Sequence, residues 1–395
     1  MIELMGGLVA QGITGVSRLI VDVAMFFGLL VIVAMALNFQ YGNAGVPNMG
    51  CAVQVIIGAF TVSAFTTRIA FWAAEQAGLV LLPWNTGVLW MWNNQKNIYN
   101  TVNPFLVGNP WLCVSLILFS LAAGLVMGAI IGYLISLPAI RLRATYLIIV
   151  LIAMADASQI FGRNILEVSG GPLGQFIPNL FSWYPGDRSL VMAVLTLSVG
   201  IVSFFVFRTM LNSPYGRLMR AIRENEITVG SVGKNVVGIR RNILVFASGI
   251  TALAGVLNAF YYSFVVENAY QRAYWTYWPW LMLILGGPGN NAGTFLGTAS
   301  IIALRRVIIV YKFQIQSFVF FPITFLEDLI LGTLLIVVMI FRPSGLIPEK
   351  LLYVPGINYG KMVREEVKVD WRAAPKAGTG KRSKFSIRGK KEAPS

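Results

Sequence analysis

The sequence predicts an all-α protein: a polytopic transmembrane helical bundle of about 8–9 spans, with re-entrant half-helices and a disordered basic C-terminal tail. Three observations predict it. The 395 residues are 56% hydrophobic and 12% charged, with mean hydropathy +0.71, whereas a soluble domain carries about 25% charge. Apolar runs of about 20 residues recur along the chain, each long enough to cross about 30 Å of hydrocarbon. Charge is unevenly placed: residues 342–395 hold 13 cations and 5 anions, or +8 of the net +15. That tail is rich in Pro, Gly and Ala and lacks apolar periodicity, so it reads as unfolded chain. Its charge suits anionic lipid rather than nucleic acid. The expected organisation is a membrane domain over residues 1–346 and a basic tail over 347–395.

Composition also excludes several functions. The chain has no His, which removes the usual general base, metal ligand and pH switch. Cys51 and Cys113 lie in apolar runs and form no metal or disulfide pattern. The nearest approach to a phosphate-binding loop is Gly380-Lys381. It has Pro375 in place of the first Gly and Arg382 in place of Ser or Thr. No catalytic residue, metal site or bound cofactor is therefore expected, and any ATP and its Mg must be handled by another chain.

Residues 1–16 are mildly amphipathic and lack the charged stretch and cleavage site of a signal peptide. A first span is expected over residues 18–39. It runs into a stretch where Asn38, Gln40, Asn43 and Asn48 stand among Gly42, Gly45, Pro47 and Gly50. Polar amides and helix breakers at membrane depth either line a cavity or pack on protein, and both readings stay open. A second span follows over 50–71. Residues 75–110 are mixed, with Trp84, Trp90 and Trp92, Trp111 just beyond, and Lys96 as the one basic residue. Aromatic residues favour the membrane–water boundary, so this segment is placed outside, with a re-entrant piece near 78–89.

A third span covers 112–137. Its Gly124, Gly128 and Gly132 repeat at the small-xxx-small spacing of close helix contact. Pro138 is expected to break it, and Arg141 and Arg143 to mark a short cytoplasmic turn. The fourth span carries Asp156. An ionisable group inside a span is costly and by default a functional candidate; the other reading is a bundle-facing carboxyl satisfied by Ser158 or Gln159. Beyond it, Ser169, Gly170, Gly171, Pro172, Leu173 and Gly174 supply backbone able to approach a ligand closely.

A fifth span, 189–210, leads into residues 212–242, where the chain turns amphipathic and basic. From 208 to 241 there are seven cations against two anions, the mark of a cytoplasmic loop. A simple turn needs only a handful of residues. Here Ser213 is placed as an N-cap and Pro214 at the first helical position, with Leu218, Ala221 and Ile222 at helical spacing. The loop reads as a short surface helix offered to a cytoplasmic partner, or else as a solvated loop that only sets orientation.

A sixth span is expected over 243–265. Tyr270, Tyr274, Trp275, Tyr277, Trp278 and Trp280 then read as an interfacial aromatic belt rather than a substrate platform. In residues 281–303 the apolar run is too short to span comfortably and is broken by Gly286, Gly287, Pro288 and Gly289. Short segments interrupted by Gly and Pro point to a transport site; a plain loop between two helices is the alternative. A last span, 318–340, holds Glu327 and Asp328. Placing the basic loops inside puts the N-terminus outside and the C-terminus in the cytoplasm, with nine crossings if residues 275–285 span.

Several of these stretches carry a resemblance. SPYGRLMRAIRENEITVGSVGKNV resembles the cytoplasmic coupling loop of ABC-importer permeases of the branched-chain amino-acid type, the LivM-like subunit. Leu37, Asn38, Gly42, Gly45 and Gly50 are similar to that family's LN-x-x-x-G-x-x-G-x-x-x-x-G, with Cys51 where the family often has His. RLRATYL resembles RLRG-x-YLAI with Ala144 replacing Gly, Asp156 stands for an intramembrane Glu, and SGGPLG is similar to TGGP-x-G. Gly286, Gly287, Gly289, Gly293 and Gly297 resemble LGG-x-G-x-x-x-G-x-x-x-G, and Arg342 to Leu346 the closing FRP-x-G-L.

The resemblance implies a permease subunit in the cell membrane that translocates a small solute, branched-chain amino acids first, using ATP hydrolysed by separate subunits. Implied partners are a second, LivH-like permease subunit, two ATPase subunits and an extracytoplasmic solute-binding protein. The implied transport pathway comprises Asn38, Asn43, Gly45, Asn48, Gly50, Asp156, Ser169, Gly170, Gly171, Gly174, Gly286, Gly287 and Gly289. ATPase coupling falls to Ser213, Pro214, Gly216, Arg217, Arg220, Ala221, Ile222, Arg223 and Glu224. Two alternatives are an ABC permease for urea or amides, and a self-sufficient ion-coupled carrier using Asp156, Glu267 or the Glu327–Asp328 pair.

Overall fold

The computed structural model describes residues 2–82, 90–142, 144–310, 323–341 and 344–349. Helix α1 (Ile2–Leu37) continues as a π-helical turn, Asn38–Gly42. A second π turn, Val62–Thr66, joins α2 (Cys51–Thr61) to α3 (Thr67–Gln76), making one long rod. Short helices α4 (Trp90–Asn97) and α5 (Asn103–Val107) precede α6 (Pro110–Arg141), α7 (Ala144–Asn164) and the one-turn α8 (Leu166–Ser169). Next come α9 (Arg188–Asn212), α10 (Pro214–Glu224), α11 (Glu226–Ser231) and α12 (Val236–Tyr262). The described chain closes with α13 (Trp278–Gly286), α14 (Asn291–Val310) and α15 (Ile323–Phe341). Two two-residue strands, β1 (Gln175–Phe176) and β2 (Phe264–Val265), pair antiparallel.

The protein is all-α, and seven of the described helical stretches are long and apolar enough to cross a membrane. The sequence count of eight to nine is close. Its surplus lies at α15 and at α13, whose nine residues and preceding five-residue π turn rise only about 20 Å.

Helix α12 sits at the centre, with most of its residues buried. Glycine lets its neighbours approach. A Cβ on Gly58 would lie 2.0 Å from the Ala252 carbonyl oxygen, and one on Gly255 would lie 1.8 Å from that of Val55. The α2 and α12 backbones therefore touch. Gly128 and Gly132 meet Ala252 and Ser248 in the same way, so the α6 glycine stripe serves packing within the chain. In hydrocarbon, such close contact is what holds helices together.

Three expectations are corrected. Pro138 does not break α6. It sits in the last turn, where its missing N–H forgoes one bond, and the Leu142 N–H still reaches the Pro138 carbonyl at 3.0 Å. Helix α12 begins at Val236 rather than near 243, because Asn235 caps it by accepting the Gly238 N–H at 2.9 Å. Arg240 and Arg241 thus belong to its opening turns. The aromatic residues after α12 are not a belt: Tyr270, Trp275, Trp278 and Trp280 are buried, and only Tyr277 of the six is exposed. The segment folds back into the bundle, where the Trp275 and Trp280 indoles donate to the carbonyls of Ala269 (3.1 Å) and Asn48 (2.9 Å).

Trp84, most of the anticipated re-entrant piece, Arg143, Arg342, Pro343, residues 350–395 and the side chains of Glu327 and Asp328 lie outside the described residues.

Candidate functional site

One end of the bundle gathers the breaks in α1 and in the α13–α14 hairpin. Asn38 is their rivet. Its Nδ2 donates to Asn291 Oδ1 at 2.8 Å, and its Oδ1 accepts the Gly289 N–H at 2.8 Å. Asn43 Nδ2 donates to the Asn38 carbonyl at 3.1 Å, Asn48 Nδ2 donates to Gln40 Oε1 at 2.7 Å, and Asn48 Oδ1 takes the Gly50 N–H at 2.8 Å. The Asn38, Gln40, Asn43 and Asn48 side chains are buried. Among the described residues these amides bond protein groups, except Gln40 Nε2, which is buried without a hydrogen-bond partner. The hairpin breaks where Gly287 (φ +108°) and Gly289 (φ +86°) take positive-φ conformations that side chains disfavour. The segment after α15 lies on this break: the Leu346 and Ile347 N–H groups donate to the carbonyls of Leu285 (2.8 Å) and Gly286 (3.1 Å). They thereby satisfy acceptors that the end of α13 leaves open.

Helix α10 lies against the same end. Ser213 has the extended backbone of an N-cap, yet its Oγ donates back to the Met210 carbonyl at 2.6 Å and caps nothing. The buried face is Gly216, Met219 and Ile222; Ala221 is exposed, and Leu218 is half-buried. A Cβ on Gly216 would sit 2.2 Å from the Leu211 carbonyl oxygen, so α10 is pressed onto the end of α9. Arg220 adds a bond to that carbonyl at 2.7 Å. Arg223 reaches furthest: one terminal nitrogen donates to the Gly42 carbonyl, and the other pairs with Glu349 (2.9 Å) and Glu224 (3.0 Å). Its aliphatic stem covers Gly45, where an added Cβ would meet Cγ at 3.0 Å. Burial disfavours the charge on Arg223, but Glu349 and Glu224 outweigh it and hold the guanidinium pKa above its ordinary value. Helix α11 carries Ile227 and is followed by Val232, at 82% and 73% exposure; Arg217, Lys234 and Arg241 of the same 212–242 stretch are exposed as well.

The remaining candidates lie elsewhere. Asp156 pairs with Arg272 at 2.9 Å, their side chains 45% and 32% exposed. Neither Ser158 nor Gln159 satisfies it, contrary to one expectation. Ser158 bonds the Ala155 carbonyl, and Gln159 bonds that of Tyr270 at 2.8 Å. Asp156 stands about 18 Å along α7 from Ala144. The buried Ser169 donates to the Gly162 carbonyl. Gly170, Gly171 and Gly174 all have positive φ, and a Cβ on Gly174 would strike the Phe264 ring at 2.5 Å. This turn closes on the β1–β2 pair, where Ser63 Oγ bonds Gln175 Oε1 at 2.6 Å and Arg163 pairs with the buried Glu267 at 3.1 Å.

Helix α12, 27 residues and so about 40 Å long, leads from the α10–α11 end to β2. The anticipated pathway residues thus form two separate groups. Asn38, Asn43, Gly45, Asn48, Gly50, Gly286, Gly287 and Gly289 gather near α10, while Ser169, Gly170, Gly171 and Gly174 lie at the far end with Asp156 on the way to it. A cavity of about 400 Å³ opens between α1, α12 and α14, lined by Phe26, Tyr262, Arg305 and Arg306 among others. None of the anticipated pathway residues is among its described lining.

Sequence reasoning missed Arg272, Asn291, Glu349 and Gln54. The first three become visible only through their partners. Gln54 carried a signal, a lone amide in the apolar α2 run. It is fully buried, and neither polar atom of its side chain has a hydrogen-bond partner among the described residues. Gln54→Met is expected to raise stability by about 1–3 kcal/mol, the cost of an unsatisfied buried amide, read as a higher unfolding midpoint in detergent. A lower midpoint would mean that the amide is solvated in place.

The family model described as "Branched-chain amino acid transport system / permease component" matches residues 19–339. A probable branched-chain amino acid transport permease protein LivM from Methanocaldococcus jannaschii is 31% identical over 340 residues, covering 85% of this chain and 95% of the relative. High-affinity branched-chain amino acid transport system permease proteins LivM from Salmonella typhimurium and Escherichia coli are each 25% identical over 358 residues, covering 84% of this chain and 71% of theirs. No solved structure matches the chain. With its multi-pass helical bundle and a family match across nearly all of it, the chain belongs to the branched-chain amino acid transport permease family.

Proposed function

We propose that this chain is the membrane-spanning subunit of an ABC importer and translocates branched-chain amino acids on ATP hydrolysed by separate subunits. The observation that carries this reading is the α10–α11 surface. Exposed apolar side chains on a basic surface mark a protein contact; Ile227 and Val232 are exposed in the same 212–242 stretch as the exposed Arg217 and Lys234. The opposite side of α10 is bonded to the broken ends of α1 and α13. An ATPase subunit docked on the outer side, changing shape with its nucleotide, would bias a two-state element that reaches into the bundle.

The assembly would comprise a second, LivH-like permease, two ATPase subunits and an extracytoplasmic solute-binding protein, with the basic tail against anionic lipid. The N-terminus lies outside and the C-terminus in the cytoplasm of the cell membrane. A half-exposed Asp156–Arg272 pair at membrane depth suits a face covered by the second permease or by a wet pathway, since charge in lipid is costly. The same pairing weakens the ion-coupled alternative, because Asp156 and Glu267 each already hold an arginine.

Purification from the native membrane in mild detergent is expected to bring an ATPase subunit and a second permease with the chain. Ile227→Asp with Val232→Asp should lose the ATPase while the permease pair persists. A chain that purifies alone and moves solute in ATP-free vesicles would overturn the reading. In reconstituted vesicles, ATP-dependent uptake of labelled leucine is expected; uptake of urea instead would reassign the substrate.

A further inference from the structure

We propose that residues 344–349, just past the last helix, form a strap that transmits movement of α10 to the α13–α14 break. Arg223 and Glu349 are its clasp and act as positioning residues for transport. The inference rests on the importer reading for its role, but the strap itself is a statement about the fold.

The strap is fastened to the break along its length. Two of its N–H groups, those of Leu346 and Ile347, bond the last carbonyls of α13. Asn290 Nδ2 donates to the Pro348 carbonyl at 3.1 Å. The contact is backbone on backbone: a Cβ on Gly287 would lie 2.4 Å from the Ile347 carbonyl oxygen, and one on Gly345 would lie 2.5 Å from Gly287 Cα. Glu349 lies over the other glycine of the break, where a Cβ on Gly289 would meet its carboxyl at 2.8 Å. The two glycines of the break thus leave room for the strap.

At its far end the strap is held to α10 by charge. Glu349 is its one acidic residue, and it meets Arg223 at 2.9 Å in a charge-assisted contact. Arg223 also holds the Gly42 carbonyl, and Gly42 follows Asn38, which holds Gly289. Two routes therefore run from α10 to the same break, one through Gly42 and Asn38, the other through Glu349 and the strap. If α10 moves, it must either part this ion pair or carry the strap and the end of α13 with it. Sequence reasoning ended the membrane domain at Leu346 and gave Ile347 to Glu349 to the tail; the strap returns these three residues to the working part of the protein.

Both members of the pair are partly exposed, at 23% and 31%, so the bond alone contributes little to folding. That separates the proposal from a merely structural role. In the assembled transporter, Glu349→Gln is expected to leave co-purification of the ATPase and the unfolding midpoint unchanged. Solute moved per ATP should fall about fivefold or more, and Glu349→Asp should restore most of it. An unchanged ratio would overturn the proposal, as would a loss of transport that merely follows loss of the ATPase subunit. The purified chain alone supplies an arm that does not depend on the importer reading. Glu349→Gln should speed amide exchange in residues 285–291, a local opening of the break. Exchange unchanged there would sink the strap even if the importer reading stands; faster exchange with no ATP-driven transport in the wild type would sink the importer reading and leave the strap.

Discussion

Gly255→Val is expected to leave little folded protein in the membrane. A Cβ at position 255 would lie 1.8 Å from the Val55 carbonyl oxygen and 2.8 Å from its carbon. The obstacle is backbone, which cannot rotate aside as a side chain would. About one helical turn away, Gly58 is pressed on the Ala252 carbonyl at 2.0 Å, so the helices cannot tilt about this contact to relieve it. Overpacking a core generally costs about 1–3 kcal/mol, and more where the neighbour cannot move; here α2 and the central α12 would have to part. Gly230→Ala is the matched control, since a Cβ at that α11 position meets nothing within 4 Å and should be neutral or slightly stabilising. Size-exclusion profiles and unfolding midpoints of the two variants in detergent test this. Wild-type behaviour of Gly255→Val would mean that the α2–α12 approach is wrong.

Arg272→Gln is expected to be the most damaging change at the Asp156–Arg272 ion pair. It strands the Asp156 carboxylate at membrane depth, at a cost of about 2–3 kcal/mol. Asp156→Asn removes the unpaired charge, so the double variant should recover most of the loss. In contacting pairs such interaction energies run from about 0.5 to 3 kcal/mol. Unfolding midpoints of the four proteins in the cycle read this directly. Leucine uptake by the double variant asks a second question. A folded double variant that does not transport would place the pair in the solute path, whereas normal uptake would make the pair a structural tie. Additive losses in stability would remove the ion pair itself.

The broken hairpin at Gly286–Gly289 and the helical, basic 214–224 loop were both legible in the sequence. A cluster of three glycines and a proline within four residues cannot hold a helix, though single glycines or Pro138 inside α6 can, and a positive loop follows from composition. The faces were less legible. Leu218, Ala221 and Ile222 stood at helical spacing, which marks a helix but not its face, and the buried side of α10 is Gly216, Met219 and Ile222. The reason is local: Gly216 admits the α9 backbone, and that contact sets the helix rotation. The aromatic residues from Tyr270 to Trp280 misled for a related reason. Aromatic side chains suit either a membrane interface or a core, and only the fold-back of α13 placed four of them inside.

By itself the sequence determined the class of the protein: apolar runs long enough to cross a bilayer, positive charge concentrated in the 208–241 stretch and the tail, and no His-based chemistry. These follow from local composition and length, which no tertiary contact can alter. Tertiary structure alone decided which polar groups meet. Asn38 bonds residues more than 250 positions away, Arg223 joins Gly42 to Glu349, and Asp156 finds Arg272 rather than a neighbour on its own helix. Each partnership depends on how two helices are rotated and offset, and those are set where glycines let backbones touch. That is why the anticipated pathway separated into two groups along α12, and why Glu349, unremarkable in the sequence, stands at the junction of α10 and the broken hairpin.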